Sequence, residues 1–196
     1  VKSLRFVLLV ALALRLQAPF DGLRAAYAQG ERSAAEAAAV PFVCPAGTER
    51  MGAAPPDGFE VWCERPTEPP ERRREGPARA YYDDGGLARE QRFEAGRLVG
   101  PFREFHRNGR LARNGTYAAG ERDGTWLIFR ESGVKEEESE YARGAKHGAF
   151  VTYHPDGRKK TEGRFCRDLQ CGTWTSWDEA GRELGRVRYE ELKGTP

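Results

Sequence analysis

The stretch GPFREFHRNGRLARNGTYAAGERD, residues 100–123, decides the fold. Asn108-Gly109 stands between two short runs that mix apolar and polar residues. That is a hairpin signal, because a type I′ turn needs positive φ at both central residues and these residue types tolerate it. Four more copies share the 24-residue length, so the units open at Gly76, Gly100, Gly124, Gly148 and Gly172 with no insertion or deletion. A second glycine follows nine residues later in each, at Gly85, Gly109, Gly133, Gly157 and Gly181. A fixed period of this kind marks a repeat array. Each copy then forms one antiparallel hairpin, a connecting turn containing Gly96, Gly120 or Gly144 leads to the next, and successive hairpins continue the same sheet.

The turn positions set the register, and the register says which side chains touch. A two-residue turn at Asn108-Gly109 puts Phe102 opposite Gly115, and by repetition Trp126 opposite Ser139, Phe150 opposite Gly163 and Trp174 opposite Val187. If the connecting turn pairs Ala118 with Asp123, Gly115 also neighbours Trp126. One face then alternates bulky rings with small residues that receive them. Beside that row runs another, in which Gly100, Gly124, Gly148 and Gly172 lie opposite Tyr117, Tyr141, Phe165 and Tyr189. Helical periodicity is absent. The expected fold class is all-β: an elongated single-sheet array of five 24-residue antiparallel β-hairpin repeats, preceded by a small disulfide-closed loop.

The opposite face carries a different set of rings. Tyr81, Phe105, Phe129, Tyr153 and Trp177 sit five residues into their copies and form a ladder with one ring every second strand, about 9–10 Å apart. Charged residues dominate their neighbours, among them Arg103, Glu138, Glu162 and Arg188. Two readings stand: lysine and arginine stems cover the rings in a solvated face, or an aromatic ridge flanked by charges meets a partner.

The chain has four cysteines. Cys44 and Cys63 bracket FVCPAGTERMGAAPPDGFEVWCE, whose ends carry strand-like residues; a disulfide closing this loop contributes about 3 kcal/mol by the loop-entropy estimate. Cys166 and Cys171 occupy the positions of Ala118 and Asp123, expected to face each other across the connecting turn. There Asp168 replaces the usual glycine, and a disulfide staples the turn that lost its permissive residue. Free thiols and a metal site are the competing readings. Pairing local in sequence fits an oxidising compartment.

Residues 1–28 read as a signal peptide, with Lys2 and Arg5 before the apolar run Phe6–Leu14 and cleavage after Ala28 or near Ala18. An uncleaved amphipathic anchor is the alternative, and the run is too short for a transmembrane span. The expected organisation continues with a linker at 29–43, whose alanine-rich residues 29–40 read as linker or a marginal helix, the closed loop at 44–63, a Pro/Arg-rich linker at 64–75 containing Arg72, Arg73 and Arg74, and the repeats at 76–196. The net charge is +2, and removing residues 1–28 takes away four cations and one anion, leaving −1. No basic excess therefore favours nucleic acid or anionic membranes.

The run Tyr117-x-x-Gly120-x-x-x-Gly124-x-Trp126-x-x-Phe129, followed by Ser132-Gly133, resembles the bacterial variant of the MORN repeat, in proteins often labelled YwqK-type antitoxin-like. The resemblance covers residues 76–189 and implies a single-sheet array of hairpins used for protein or lipid contact, with no catalytic residues to carry over. Ala78 departs from it, standing where the pattern has a ring. His106, His147 and His154 are scattered, no serine or cysteine sits in a nucleophile setting, and the glycines recur at turn spacing with no strand-to-helix phosphate loop. The expectation is a non-enzyme without cofactor or metal: an exported (periplasmic or extracellular) scaffold binding another protein of the cell envelope. A cell-wall-glycan module using the ring ladder and a membrane-surface protein are the alternatives.

Overall fold

The computed structural model describes residues 33–66 and 73–190. The proposed signal peptide, the centre of the Pro/Arg-rich linker with Arg72, and the C-terminal residues 191–196 lie outside the described residues. A helix, α1 (Ala34–Ala39), precedes thirteen strands: β1 (Glu49–Ala53), β2 (Glu60–Arg65), β3 (Arg73–Tyr81), β4 (Leu87–Glu94), β5 (Arg97–Leu98), β6 (Gly100–Phe105), β7 (Leu111–Ala118), β8 (Glu121–Phe129), β9 (Lys135–Ala142), β10 (Ala145–Tyr153), β11 (Lys159–Cys166), β12 (Leu169–Trp177) and β13 (Glu183–Tyr189). They form one antiparallel sheet in chain order, with the two-residue β5 paired to β4 beside the main path.

The register away from the turns is the one the spacing predicts: Phe102 faces Gly115, Trp126 faces Ser139, Phe150 faces Gly163 and Trp174 faces Val187. The turns themselves are assigned the other way round. At Asn108-Gly109 only the glycine has positive φ, and the turn closes with the Gly109 N–H donating to the His106 carbonyl at 2.9 Å. A register shift after Glu104 then restores the expected pairing. The type I′ geometry belongs to the connections, where Ala95-Gly96, Ala119-Gly120, Arg143-Gly144 and Arg167-Asp168 all have positive φ at both residues. Ala118 therefore pairs with Glu121 and not with Asp123. A bulge at Gly124 (φ +73°) absorbs the difference and brings Trp126 back beside Gly115.

That correction also moves the second cysteine pair. Cys166 pairs with Leu169 and Cys171 with Arg164, so the disulfide runs diagonally across the Arg167-Asp168 turn with the Cα atoms 5.9 Å apart. The Asp168 carboxylate accepts the Lys146 backbone N–H at 2.8 Å, which offsets its left-handed backbone. Cys44 and Cys63 are likewise joined, with a Cα separation of 5.6 Å.

Rings over small residues hold the first face together. Trp126 is buried, 5.4 Å from Phe102 and 5.0 Å from Tyr117 between ring centroids, and its indole N–H donates to the Thr116 carbonyl. Trp174 repeats the arrangement with Phe150 and Phe165. Such pairs contribute about 0.5–1.5 kcal/mol each beyond area burial. Cations cap the row: the Arg122 guanidinium lies 4.7 Å from the Trp126 ring and the Lys146 amine 4.5 Å from Phe150.

The N-terminal region departs from the expected organisation. The loop at 44–63 does not stand apart, because β1 and β2 extend the sheet and Trp62 lies opposite Ala78, supplying the ring the first copy lacks. Nor are the linker ends solvated spacers. Arg74 stacks on Trp62 and Phe93 and bonds Glu60, so these rings draw Arg73–Glu75 into β3. The linker at 29–43 holds α1.

Candidate functional site

The ladder occupies the second face, and each ring has a cross-strand partner at a fixed position. The pairs are Tyr81–Leu87, Phe105–Leu111, Phe129–Lys135, Tyr153–Lys159 and Trp177–Glu183. The partner thus changes from leucine to charged residues between the second and third rungs, and the environment changes with it.

Helix α1 covers the leucine end. Ser33 caps it, accepting the Glu36 N–H while the Glu36 carboxylate accepts the Ser33 N–H, a reciprocal capping box. Ala34 and Ala37 present small side chains to the sheet and bury against Leu87 and Phe105, with Tyr81 and Leu111 alongside. Phe105 has no exposed surface, so it belongs to the core and not to an exposed ladder. Two polar ties fix the helix: the Ala34 N–H donates to the Gly109 carbonyl at 2.9 Å, and the Arg79 guanidinium donates to the Ala37 carbonyl at 3.0 Å. Arg79 is itself buried and paired with Glu90, which also bonds Arg103. A buried cation in such a network is satisfied on several sides, as it must be to offset its desolvation.

Phe129, Tyr153 and Trp177 lie beyond the helix and are half-buried. Leu127 and Val151 fill the floor between them, with Glu138 and Glu162 in the same cross-strand row. The Lys135 amine lies over the Tyr153 ring at 5.5 Å and bonds Glu138 at 2.7 Å, while Lys159 bonds Glu162 at 2.8 Å. Burial pushes the Tyr153 phenol above its ordinary value, Lys135 opposing and Glu138 reinforcing. The open stretch is therefore a row of rings set among ion pairs of alternating sign.

A column of side chains stitches the rungs together at the hairpin-turn margin. The residue after each ladder ring donates to the carbonyl of the ring residue in the next copy: Tyr82 to Phe105 at 2.6 Å, His106 to Phe129 at 2.8 Å, Arg130 to Tyr153 at 3.2 Å and His154 to Trp177 at 2.9 Å. Two of the three histidines are thereby occupied in holding the ladder's spacing. Among the described residues no group of His, Cys, Asp and Glu is placed to hold a metal ion. Among them, too, no helix is long and apolar enough to cross a membrane.

Sequence reasoning left residues 29–40 open between a linker and a marginal helix, and it missed the donor column. Ser33-x-x-Glu36 before an alanine run was a legible helix start, and the recurrence of Tyr, His, Arg and His directly after the ladder ring was a legible column.

No family model and no curated protein matches the chain. Among solved structures, a crystal structure of a GtfA/B complex bound to UDP and GlcNAc is similar over 76% of this chain, at 12% sequence identity and a TM-score of 0.26. The chain spans 25% of that one's length. A likeness of that degree fixes neither fold nor activity.

Proposed function

We propose that the chain is an exported, non-catalytic scaffold of the bacterial MORN type that binds another protein of the cell envelope through Phe129, Tyr153 and Trp177. The observation that carries this reading is the division of the ladder. Its second rung, Phe105, is sealed by a segment of the chain's own backbone and alanine side chains, with the half-buried Tyr81 packed alongside. The remaining three rungs keep the same spacing without that cover, and their rings stay half-exposed beside Lys135 and Lys159. Rings that combine apolar area with fixed geometry dominate protein interfaces, and flanking charges select the partner. Two disulfides support export, because such bonds persist in oxidising compartments.

The ring spacing of about 9–10 Å also suits stacking on a glycan strand, the second reading. The test is a Phe129→Ala/Tyr153→Ala/Trp177→Ala variant, its fold checked by circular dichroism, presented in parallel to envelope proteins and to isolated cell wall. Loss of a captured envelope protein is the expected result. Loss of cell-wall binding alone transfers the ladder to the glycan reading. Unchanged capture of every ligand by a folded variant refutes both.

A further inference from the structure

Among the described residues, strand β13 closes the strand order and pairs only with β12, and all of its residues, Glu183–Tyr189, are exposed. The interior of the sheet shows what such an edge normally receives. Ser139, at the equivalent position in β9, lies between Trp126 and Phe150 and is 1% exposed; Val187 faces Trp174 alone and is 55% exposed. Phe165 meets rings on both sides, with Phe150 and Trp174 each at 5.1 Å, whereas Tyr189 meets only Trp174, at 6.4 Å. The first face therefore ends one ring short.

The second face of the same strand ends on cations. Arg186 and Arg188 lie opposite Thr175 and Thr173. Arg186 bonds Glu183 of its own strand, and Arg188 has no ion pair among the described residues. Successive residues of a strand point to opposite faces. An added strand whose ring falls beside Val187 thus sends its two neighbouring side chains toward Arg186 and Arg188.

We propose that the free edge of β13 takes an extended segment of a partner protein carrying an acidic–aromatic–acidic triplet. The ring completes the row beside Val187 and Tyr189, the carboxylates pair with Arg186 and Arg188, and backbone hydrogen bonds add the segment to the sheet. A second copy is disfavoured on charge. The two-fold self-pairing that overlaps all of β13 sets Arg186 against itself, and like charges directly opposed destabilise a strand pair. Of the ladder only Trp177, opposite Glu183, borders this strand, and the edge uses none of the ladder's rings, so it stands or falls independently of the function proposed above.

The test uses the full oxidised chain and short capped peptides centred on Glu-Trp-Glu, Lys-Trp-Lys or Glu-Ser-Glu, with affinity measured by calorimetry. The Glu-Trp-Glu peptide is expected to bind at least tenfold more tightly than the other two. An Arg186→Glu/Arg188→Glu variant, with unchanged circular dichroism, is expected to reverse the preference toward Lys-Trp-Lys. A Phe129→Ala/Tyr153→Ala variant, which leaves Trp177 opposite Glu183 in place, is expected to bind as the parent does. Equal affinity for all three peptides, or no binding, overturns the proposal. So does slow exchange, in the free chain, of the alternate Glu183–Tyr189 amides that point away from β12, or a dimer in sedimentation that Arg188→Glu dissociates, since either shows the edge already held.

Discussion

Replacing Gly115 by alanine probes the packing on which the repeat rests. Gly115 has no left-handed backbone, so alanine is acceptable on conformational grounds and reduces unfolded-state entropy, a gain of about 0.4–1 kcal/mol. Space decides the sign. A methyl at this position would lie 2.8 Å from Trp126 Cε3 and closer still to Cδ2 and Cε2. The indole is buried and anchored by its hydrogen bond to the Thr116 carbonyl at 3.2 Å, so it cannot retreat without losing that bond and its contacts with Phe102 and Tyr117. Overpacking costs about 1–3 kcal/mol and the lost hydrogen bond about 1 kcal/mol. The net expectation is a destabilisation of about 2–3 kcal/mol, or a fall in Tm of about 5–10 °C for a chain of this size. Urea denaturation followed by tryptophan fluorescence measures it. In a Trp126→Ala background the same change should cost little, because the clashing ring is gone. A neutral or stabilising Gly115→Ala in the parent chain would refute ring-over-glycine packing as the element that sets the register.

Asp168→Ala keeps the left-handed strain at the Arg167-Asp168 turn while removing the acceptor of the Lys146 N–H, and is expected to cost about 1–2 kcal/mol; Asp168→Gly, which removes both, should fall within about 1 kcal/mol of the parent by thermal melt. Reducing the Cys166–Cys171 bridge, or replacing both cysteines by serine, is expected to cost about 2 kcal/mol by the loop-entropy estimate, read from the urea midpoint. His154→Leu removes the donor to the Trp177 carbonyl, and a loss of about 1–2 kcal/mol with altered near-ultraviolet dichroism of Trp177 is expected. The Asp178 carboxyl is held below its ordinary value, chiefly by the Arg182 backbone N–H and also by the Arg182 side chain. Because its folded value is the lower one, its contribution is complete above the ordinary carboxylate range and is lost as pH falls through the folded value. Asp178→Asn should therefore flatten the decline in stability below about pH 4, measured by denaturation across a pH series.

The architecture was legible because hairpin spacing and side-chain alternation are both periodic. Once Gly109 fixes one turn, Phe102, Gly115 and Trp126 have only one way to meet. The turn types were less legible, since backbone conformation at Asn108 and Ala119 depends on where the bulges fall and not on residue type alone. Helix α1 escaped the period altogether. Six residues cannot sustain a helix on propensity, and it persists through its cap and through burial of Ala34 and Ala37 on a surface made elsewhere in the chain. The ladder was legible as a row, but its division was not. It depends on reading Leu87, Leu111, Lys135, Lys159 and Glu183 as one position, which separates the covered rungs from the open ones.

Hydroxyl-radical footprinting with mass-spectrometric readout tests that division most directly. In the free chain Phe105 should resist oxidation while Phe129, Tyr153 and Trp177 are modified. On addition of an envelope protein fraction those three should become protected, with Phe165 on the other face unchanged. Oxidation of Phe105 in the free chain, or protection that falls on Phe165 and spares the open rungs, would contradict the account.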